Sequence, residues 1–205
     1  MNTERIELPR HLGVMVLPGG ILFPGSMLPL YIFEPRYQLM LSRALERDRV
    51  FAVASSLSDD SLPEIGGAGL IRACVANEDG TSNLILQGVA RVRFSDWSDK
   101  EPYPSSAIEL LSSTFKSREE CEKLRAECLA LAGELSAGGE DIFSPQFLDV
   151  LANCEDPSSF ADLAASCAVH SPPVRFRLFE ECDVARRLEI LAAYFTHALA
   201  AREGN

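Results

Sequence analysis

The 205-residue chain is poor in the residues that carry out chemistry. It has three histidines, His11, His170 and His197, and a single tryptophan. No Gly-x-Ser-x-Gly elbow is present to expose a nucleophilic serine. The glycine pairs Gly19-Gly20, Gly66-Gly67 and Gly138-Gly139 are not followed by Lys-Ser or Lys-Thr, which excludes a phosphate-cradling loop of that type. Gly67-Ala68-Gly69 lacks the third glycine of a dinucleotide fingerprint. Cys74, Cys121, Cys128, Cys154, Cys167 and Cys182 are scattered and form no CxxC pair. Cys167 and His170 stand three apart, as two metal ligands on a helix would, but no second pair completes a tetrahedral set. Long apolar runs are missing too. Gly13–Pro18 and Met27–Phe33 are the longest, far short of the ~20 residues that span a bilayer. The N-terminus from Met1 to Glu7 shows no basic stretch followed by an apolar one. These absences set the first expectations: a cytoplasmic chain without cofactor, metal or membrane partner, not an enzyme, with reduced and buried thiols.

Positive charge is also in deficit. The formal charge is −11, and a net negative field repels phosphate backbones, so no nucleic-acid partner is expected. Arg91 with Arg93, and Arg175 with Arg177, are small basic clusters that local acids can neutralise. The acidic pairs, such as Glu78-Asp79 and Glu119-Glu120, fall in turns and first helical turns. Solvated charge and the helix dipole account for them there.

What is present is a distributed apolar fraction of 47%, enough for one domain or two small subdomains. The first half reads as strands. Gly13–Leu17 ends at Pro18-Gly19-Gly20; Ile21–Phe23 is broken by Pro24-Gly25. Met27–Phe33 is extended, and Pro29 places it at an edge or makes it irregular. Pro35 suits the first position of a helix carrying Tyr37, Met40, Leu41, Ala44 and Leu45 on one side. Val50–Ala54 is a further strand, followed by a polar, turn-rich loop over Ser55–Glu64 that is expected to be mobile. Ala68–Ala76 and Leu84–Phe94 form a hairpin around Asp79-Gly80, with Gly88 marking a bulge or a close backbone approach, and Ala107–Leu111 is the last strand.

The second half is helical. Ser117 and Glu120 form a capping box, and the helix behind it ends at Ala137-Gly138-Gly139. Ser144-Pro145, Asp156-Pro157 and Pro172-Pro173 start three more helices, and Asp183 caps the last. The fold class is therefore α+β. A β-rich pseudo-barrel of about six strands and one helix over residues 1–113 precedes a helical bundle over 114–205.

Between Leu17 and Leu45 the sequence carries a specific pattern. Leu17-Pro18, Leu22-Phe23-Pro24-Gly25 and Leu28-Pro29-Leu30-Tyr31-Ile32-Phe33-Glu34-Pro35-Arg36-Tyr37 resemble the opening of substrate-binding (N-terminal) domains of the Lon protease family. Ile65-Gly66 and the stretch from Asn83 to Arg93 resemble the family's Gly-x-x-Arg hairpin strand. Asp156-Pro157 through Arg187-Leu188 is similar to its helical half. Phe179 departs from the pattern, standing where the family usually has leucine, and the acidic loop Ser58–Glu64 follows no family motif. The resemblance covers about residues 9 to 200 and implies a PUA-like pseudo-barrel with a helical bundle. No ATPase or Ser–Lys protease module follows it within these residues, so a stand-alone form is expected.

The implied role is a non-catalytic, ATP-independent binding module for unfolded or apolar peptide, with a separate ATP-dependent protease as partner, and a monomer or weak homodimer. Phe23, Pro24, Tyr31, Phe33, Arg36 and Tyr37 form the candidate peptide-binding set, since an edge strand with proline and aromatics can hold extended peptide by apolar contact. Taken singly, each of these aromatic rings reads better as core. A small-molecule or RNA-binding PUA-like protein is the alternative.

Overall fold

A computed structural model describes residues 7–56, 62–137 and 143–203. The chain divides into two compact units, Met1–Leu111 and Ser112–Asn205. The expectations for residues 57–61 in the acidic loop, and for Gly138-Gly139 at a helix end, lie outside the described residues.

The first unit contains strands β1 (His11–Pro18), β2 (Met27–Ile32), β3 (Val50–Ser56), β4 (Ile65–Ala76), β5 (Ser82–Ser98) and β6 (Ser105–Leu111), with helix α1 (Pro35–Leu45) between β2 and β3. The sheet order is β2-β5-β4-β3-β1-β6, and β5 also pairs with β6. That extra pairing closes β5, β4, β3, β1 and β6 into a ring and leaves β2 outside it, hydrogen-bonded to β5 alone among the described strands. The long β5 makes both arrangements possible. Its first half pairs with β2, from Met27 opposite Gln87 to Ile32 opposite Ser82, and its second half with β6, from Arg91 opposite Leu111 to Ser98 opposite Ser105.

Strand β3 is buried on both faces, and β1 nearly so, which divides the core in two. Leu12, Val14, Val50, Ala52 and Ala54 pack with Ala68, Val92 and Phe94 on one side. Met15, Phe51 and Val53 pack on the other with Tyr37, Met40 and Leu41 of α1 and with Leu22, Ile32, Ile71, Leu84 and Leu86. The helical period of α1 and the two-residue period of the strands supply these faces directly.

Gly88 makes a close approach. The Phe23–Ser26 segment crosses β5 there, with Gly25 N–H donating to the Gly88 carbonyl (2.8 Å) and Gly88 N–H to the Ser26 carbonyl (2.9 Å). A Cβ on Gly88 would stand 2.1 Å from the Phe23 carbonyl oxygen, which only glycine avoids. A bulge accompanies it, since Ala68 faces Ala90 while Gly69 faces Gly88, leaving Val89 unmatched.

The second unit holds α2 (Arg118–Ala137), α3 (Pro145–Ala152), α4 (Pro157–Ala168), α5 (Pro172–Glu180) and α6 (Val184–Glu203). Side chains cap the starts of α2, α3, α4 and α6, whereas α5 begins at Pro172 without a side-chain cap bond. Glu120 N–H donates to Ser117 Oγ (3.2 Å), Phe147 N–H to Ser144 Oγ (3.2 Å), Ser159 N–H to Asp156 Oδ2 (2.9 Å) and Ala185 N–H to Asp183 Oδ1 (3.0 Å). The core is formed by Cys121, Cys128 and Leu135 of α2 with Phe160, Leu178, Leu188, Leu191 and Phe195. Arg187 of α6 and Asp162 of α4 are both buried there and form an ion pair. Arg187 Nη2 also donates to Ser113 Oγ (2.7 Å) and Ser158 Oγ (2.9 Å).

The thiols do not all follow the buried expectation. Cys121 and Cys128 are buried, Cys74, Cys154 and Cys182 are half-buried, and Cys167 is exposed on the outer side of α4.

Candidate functional site: the outer face of β2, β5 and β4

The candidate peptide-binding residues separate by burial. Phe23 and Tyr37 belong to the core and are removed from any surface role. Phe23 is fully covered where its segment crosses β4 and β5, beneath the Arg91 guanidinium 5.8 Å from its ring centroid. Tyr37 is held inside by hydrogen bonds between its hydroxyl and the Val16 backbone, donating to the carbonyl (3.4 Å) and accepting from the N–H (3.3 Å). Pro24 is half-buried. Tyr31 and Phe33, by contrast, are 54% and 59% exposed, and their rings stack with centroids 5.9 Å apart. Arg36 sits 4.5 Å above the Tyr37 ring and bonds Glu34 at 2.8 Å, so this charge is locally neutralised.

Why Tyr31 faces water follows from the alternation of β2. Leu28, Leu30 and Ile32 turn inward, while Met27, Pro29 and Tyr31 turn outward. Register then brings other residues to the same face. Pro29 lies opposite Ile85, which lies opposite Ala73; Tyr31 lies opposite Asn83, which lies opposite Val75. Ile85 and Val75 are exposed, the latter 64%. The result is a shallow depression of about 380 Å³ with Pro29, Tyr31, Ala73, Val75 and Ile85 in its lining. A Met–Pro–Tyr edge beside an Ile–Val–Ala floor forms a contiguous apolar surface of a kind that marks interaction sites.

Sequence reasoning missed Met27, Val75 and Ile85 as site residues. Their outward parity within a hairpin strand was the available signal, but which strands lie side by side is set by pairing that spans more than fifty residues of sequence.

The ends of this face differ in charge. At the Met27 end, Arg72 beside the β4 irregularity is exposed and donates from Nε to Gln87 Oε1 at 2.5 Å. At the Tyr31 end lies the turn from Asn77 to Thr81, joined to the face where Asn83 Nδ2 donates to Asn77 Oδ1 (3.5 Å). Glu78 and Asp79 are exposed there, and hydrogen bonds from the Thr81 side chain and then its backbone N–H hold the Asp79 carboxyl below the usual carboxylate range.

Nucleophilic chemistry finds little support elsewhere. Burial pushes the Cys128 thiol up to about 12 and raises those of Cys121 and Cys154, so the reactive thiolate is disfavoured at each. Among the described residues, no three His, Cys, Asp or Glu side chains gather as a metal site would require. No helix among them is long and apolar enough to cross a membrane.

The fold and the face invite comparison with known proteins. The Lon protease of Desulfosudis oleivorans is 26% identical over 97% of this chain, and that of Escherichia coli K12 is 26% identical over 94%. In both cases the chain spans only a quarter of the relative's length. Among solved structures, the N-terminal domain of the Mycobacterium avium complex Lon protease superposes with a TM-score of 0.74 at 18% identity, covering 91% of this chain and 98% of that one. The Lon N-terminal domain protein from Xanthomonas campestris gives a TM-score of 0.65 at 22% identity, covering 90% and 98%. These two likenesses establish the α+β fold. The family described as the ATP-dependent protease La (LON) substrate-binding domain matches residues 11–196, and the chain therefore belongs to the Lon substrate-binding domain family.

Proposed function

We propose that this chain is a non-catalytic recognition module that captures extended, apolar stretches of unfolded polypeptide on the outer face of β2, β5 and β4. A Lon-type ATP-dependent protease is the partner that consumes what is captured. The observation that carries the reading is the exposure of Tyr31, stacked on the exposed Phe33, beside a floor of Ile85, Val75 and Ala73. Large aromatic rings left in water at the rim of an apolar depression contribute binding free energy when a ligand covers them. The outer edge of β2 makes no strand pairing among the described residues, so its backbone also stands open to an added strand. Pro29 lacks an N–H and interrupts that edge, which places more of the affinity in side-chain contact than in a continuous ladder.

The test is a titration of a fluorescently labelled, permanently unfolded polypeptide with the protein. Saturable binding that weakens at least about tenfold in the double variant Tyr31→Ser, Phe33→Ser is the expected result, the loss corresponding to one or two interface anchors. Equal binding by the variant would move the site elsewhere.

A further inference from the structure

Resting on that reading of the face, we infer that the groove selects by charge as well as by apolarity: it takes an extended apolar core of about five residues with an acidic side chain at one end and a basic one at the other.

The argument begins with the strand register. Gln87 and Asn83 mark the two ends of the outer face, and four steps along a strand at about 3.3 Å each separate them by roughly 13 Å. Between them the lining is uncharged: Pro29, Tyr31, Ile85, Ala73 and Val75. Beyond Gln87 stands the Arg72 guanidinium, oriented toward the face by its bond to the Gln87 amide oxygen. That partner is neutral, so the positive charge of Arg72 is not cancelled by it. Beyond Asn83 stands the turn carrying Glu78 and Asp79, tied to the face by the Asn83–Asn77 amide contact. The Glu34–Arg36 ion pair near Phe33 adds no net charge at that end. An extended peptide lying along β2 and β5 thus meets a cation at one end and two carboxylates at the other. Side-chain charges at exposed rims steer and orient ligands more than they add affinity, so the effect is a selectivity of several-fold rather than an on–off switch.

The chain's net charge of −11 favours every basic peptide to some degree, which makes simple affinity comparisons ambiguous. A charge-swap cycle cancels the part of that background common to both proteins. The exposed reversal Arg118→Glu in the second unit, which changes the net charge by the same amount, measures the remainder and should leave the preference nearly unshifted. Labelled peptides with one apolar five-residue core and Lys/Glu or Lys/Lys ends are titrated against the native chain and Arg72→Glu. The Lys/Glu to Lys/Lys preference is expected to shift by about tenfold between the two proteins, from summed exposed pair interactions of modest size, and to vanish near 1 M salt. Glu78→Lys is the independent check at the other end and should move the preference from Lys/Glu towards Glu/Glu ends by a similar factor. Both positions are exposed, and circular dichroism verifies that each variant is folded. Binding of all peptides with no coupling at either end overturns the charge selectivity while leaving apolar capture intact. Absence of any saturable peptide binding overturns both.

Discussion

Tyr31 and Phe33 stack on one another in solvent, while Phe23 and Tyr37, read from the same stretch of sequence as members of the same surface, are sealed in the core. Four aromatic residues within fifteen positions therefore divide into two that hold the fold and two that are available to a ligand. Parity in β2, the inward face of α1 and the crossing of the Leu22–Ser26 segment over Gly67 and Gly88 produce the division.

That division predicts opposite mutational behaviour. Tyr31→Ser and Phe33→Ser should change unfolding free energy by no more than about 0.5 kcal/mol, as exposed substitutions do. Phe23→Ala and Tyr37→Ala should each cost about 3–5 kcal/mol through lost burial and the cavity left behind. Urea denaturation followed by far-ultraviolet circular dichroism separates the two pairs, and similar losses in all four would contradict the assignment.

The Asp162–Arg187 pair gives a second expectation. Both side chains are almost wholly buried, so removing the carboxylate takes a charged partner away from a guanidinium in the core of the helical unit. Asp162→Ala should destabilise by about 3–5 kcal/mol. Replacing both residues together, by Asp162→Leu with Arg187→Met, should recover much of the loss, because no uncompensated charge remains. A double variant no more stable than the single one would show that the hydrogen bonds to Ser113 and Ser158 dominate instead.

Acid should act through Asp183. Its carboxyl is held below the ordinary value chiefly by Lys116, 3.0 Å away, and by the N–H groups of Arg186 and Ala185 at the start of α6. A folded-state value lower than the unfolded one means that the contribution is fully present above the unfolded value, near pH 4, and is lost as pH falls through the folded value. Asp183→Ala should therefore cost about 1 kcal/mol at pH 7, the usual worth of a cap. The difference from the native chain should shrink below about pH 4. A difference that stays constant down to pH 2 would rule out a titrating cap.

Thiol labelling tests the core of the second unit. With burial holding its thiol up to about 12, Cys128 should resist maleimide at pH 7.5 until the protein unfolds, whereas exposed Cys167 should react within the native state. Mass spectrometry of the labelled peptides reads this directly. Fast native labelling of Cys128 would mean that α2 opens locally.

Much of the fold was legible because local signals agree with the global arrangement. The Asp79-Gly80 turn, the proline starts of α1, α3, α4 and α5, and the edge position of β2 signalled by Pro29 all depend on residues only a few positions apart. Less legible was the far half of β5. Asp96, Trp97 and Ser98 interrupt the apolar pattern, and the register slips between Phe94 and Asp96, yet the strand continues to pair with β6. Ile21–Phe23 reads like a strand and is not one, although Leu22 and Phe23 are fully buried. Its apolarity serves packing against glycines that a sequence pattern does not place opposite it. The Asp162–Arg187 pair was invisible for the same reason, being a contact between two helices. Of the candidate site, Tyr31 and Phe33 could be read from the edge strand, but Val75 and Ile85 join them only through register.

The central claim, that the outer face of β2, β5 and β4 captures apolar polypeptide, is tested most directly by footprinting on that face. Heteronuclear NMR spectra of the isotopically labelled chain, titrated with an unlabelled unfolded polypeptide, should show progressive shifts at Met27, Tyr31, Phe33, Val75 and Ile85. Residues of the α2–α6 core such as Leu188 should stay fixed. Saturating shifts confined to residues outside β2, β4 and β5, or no shifts at any polypeptide concentration, would contradict it.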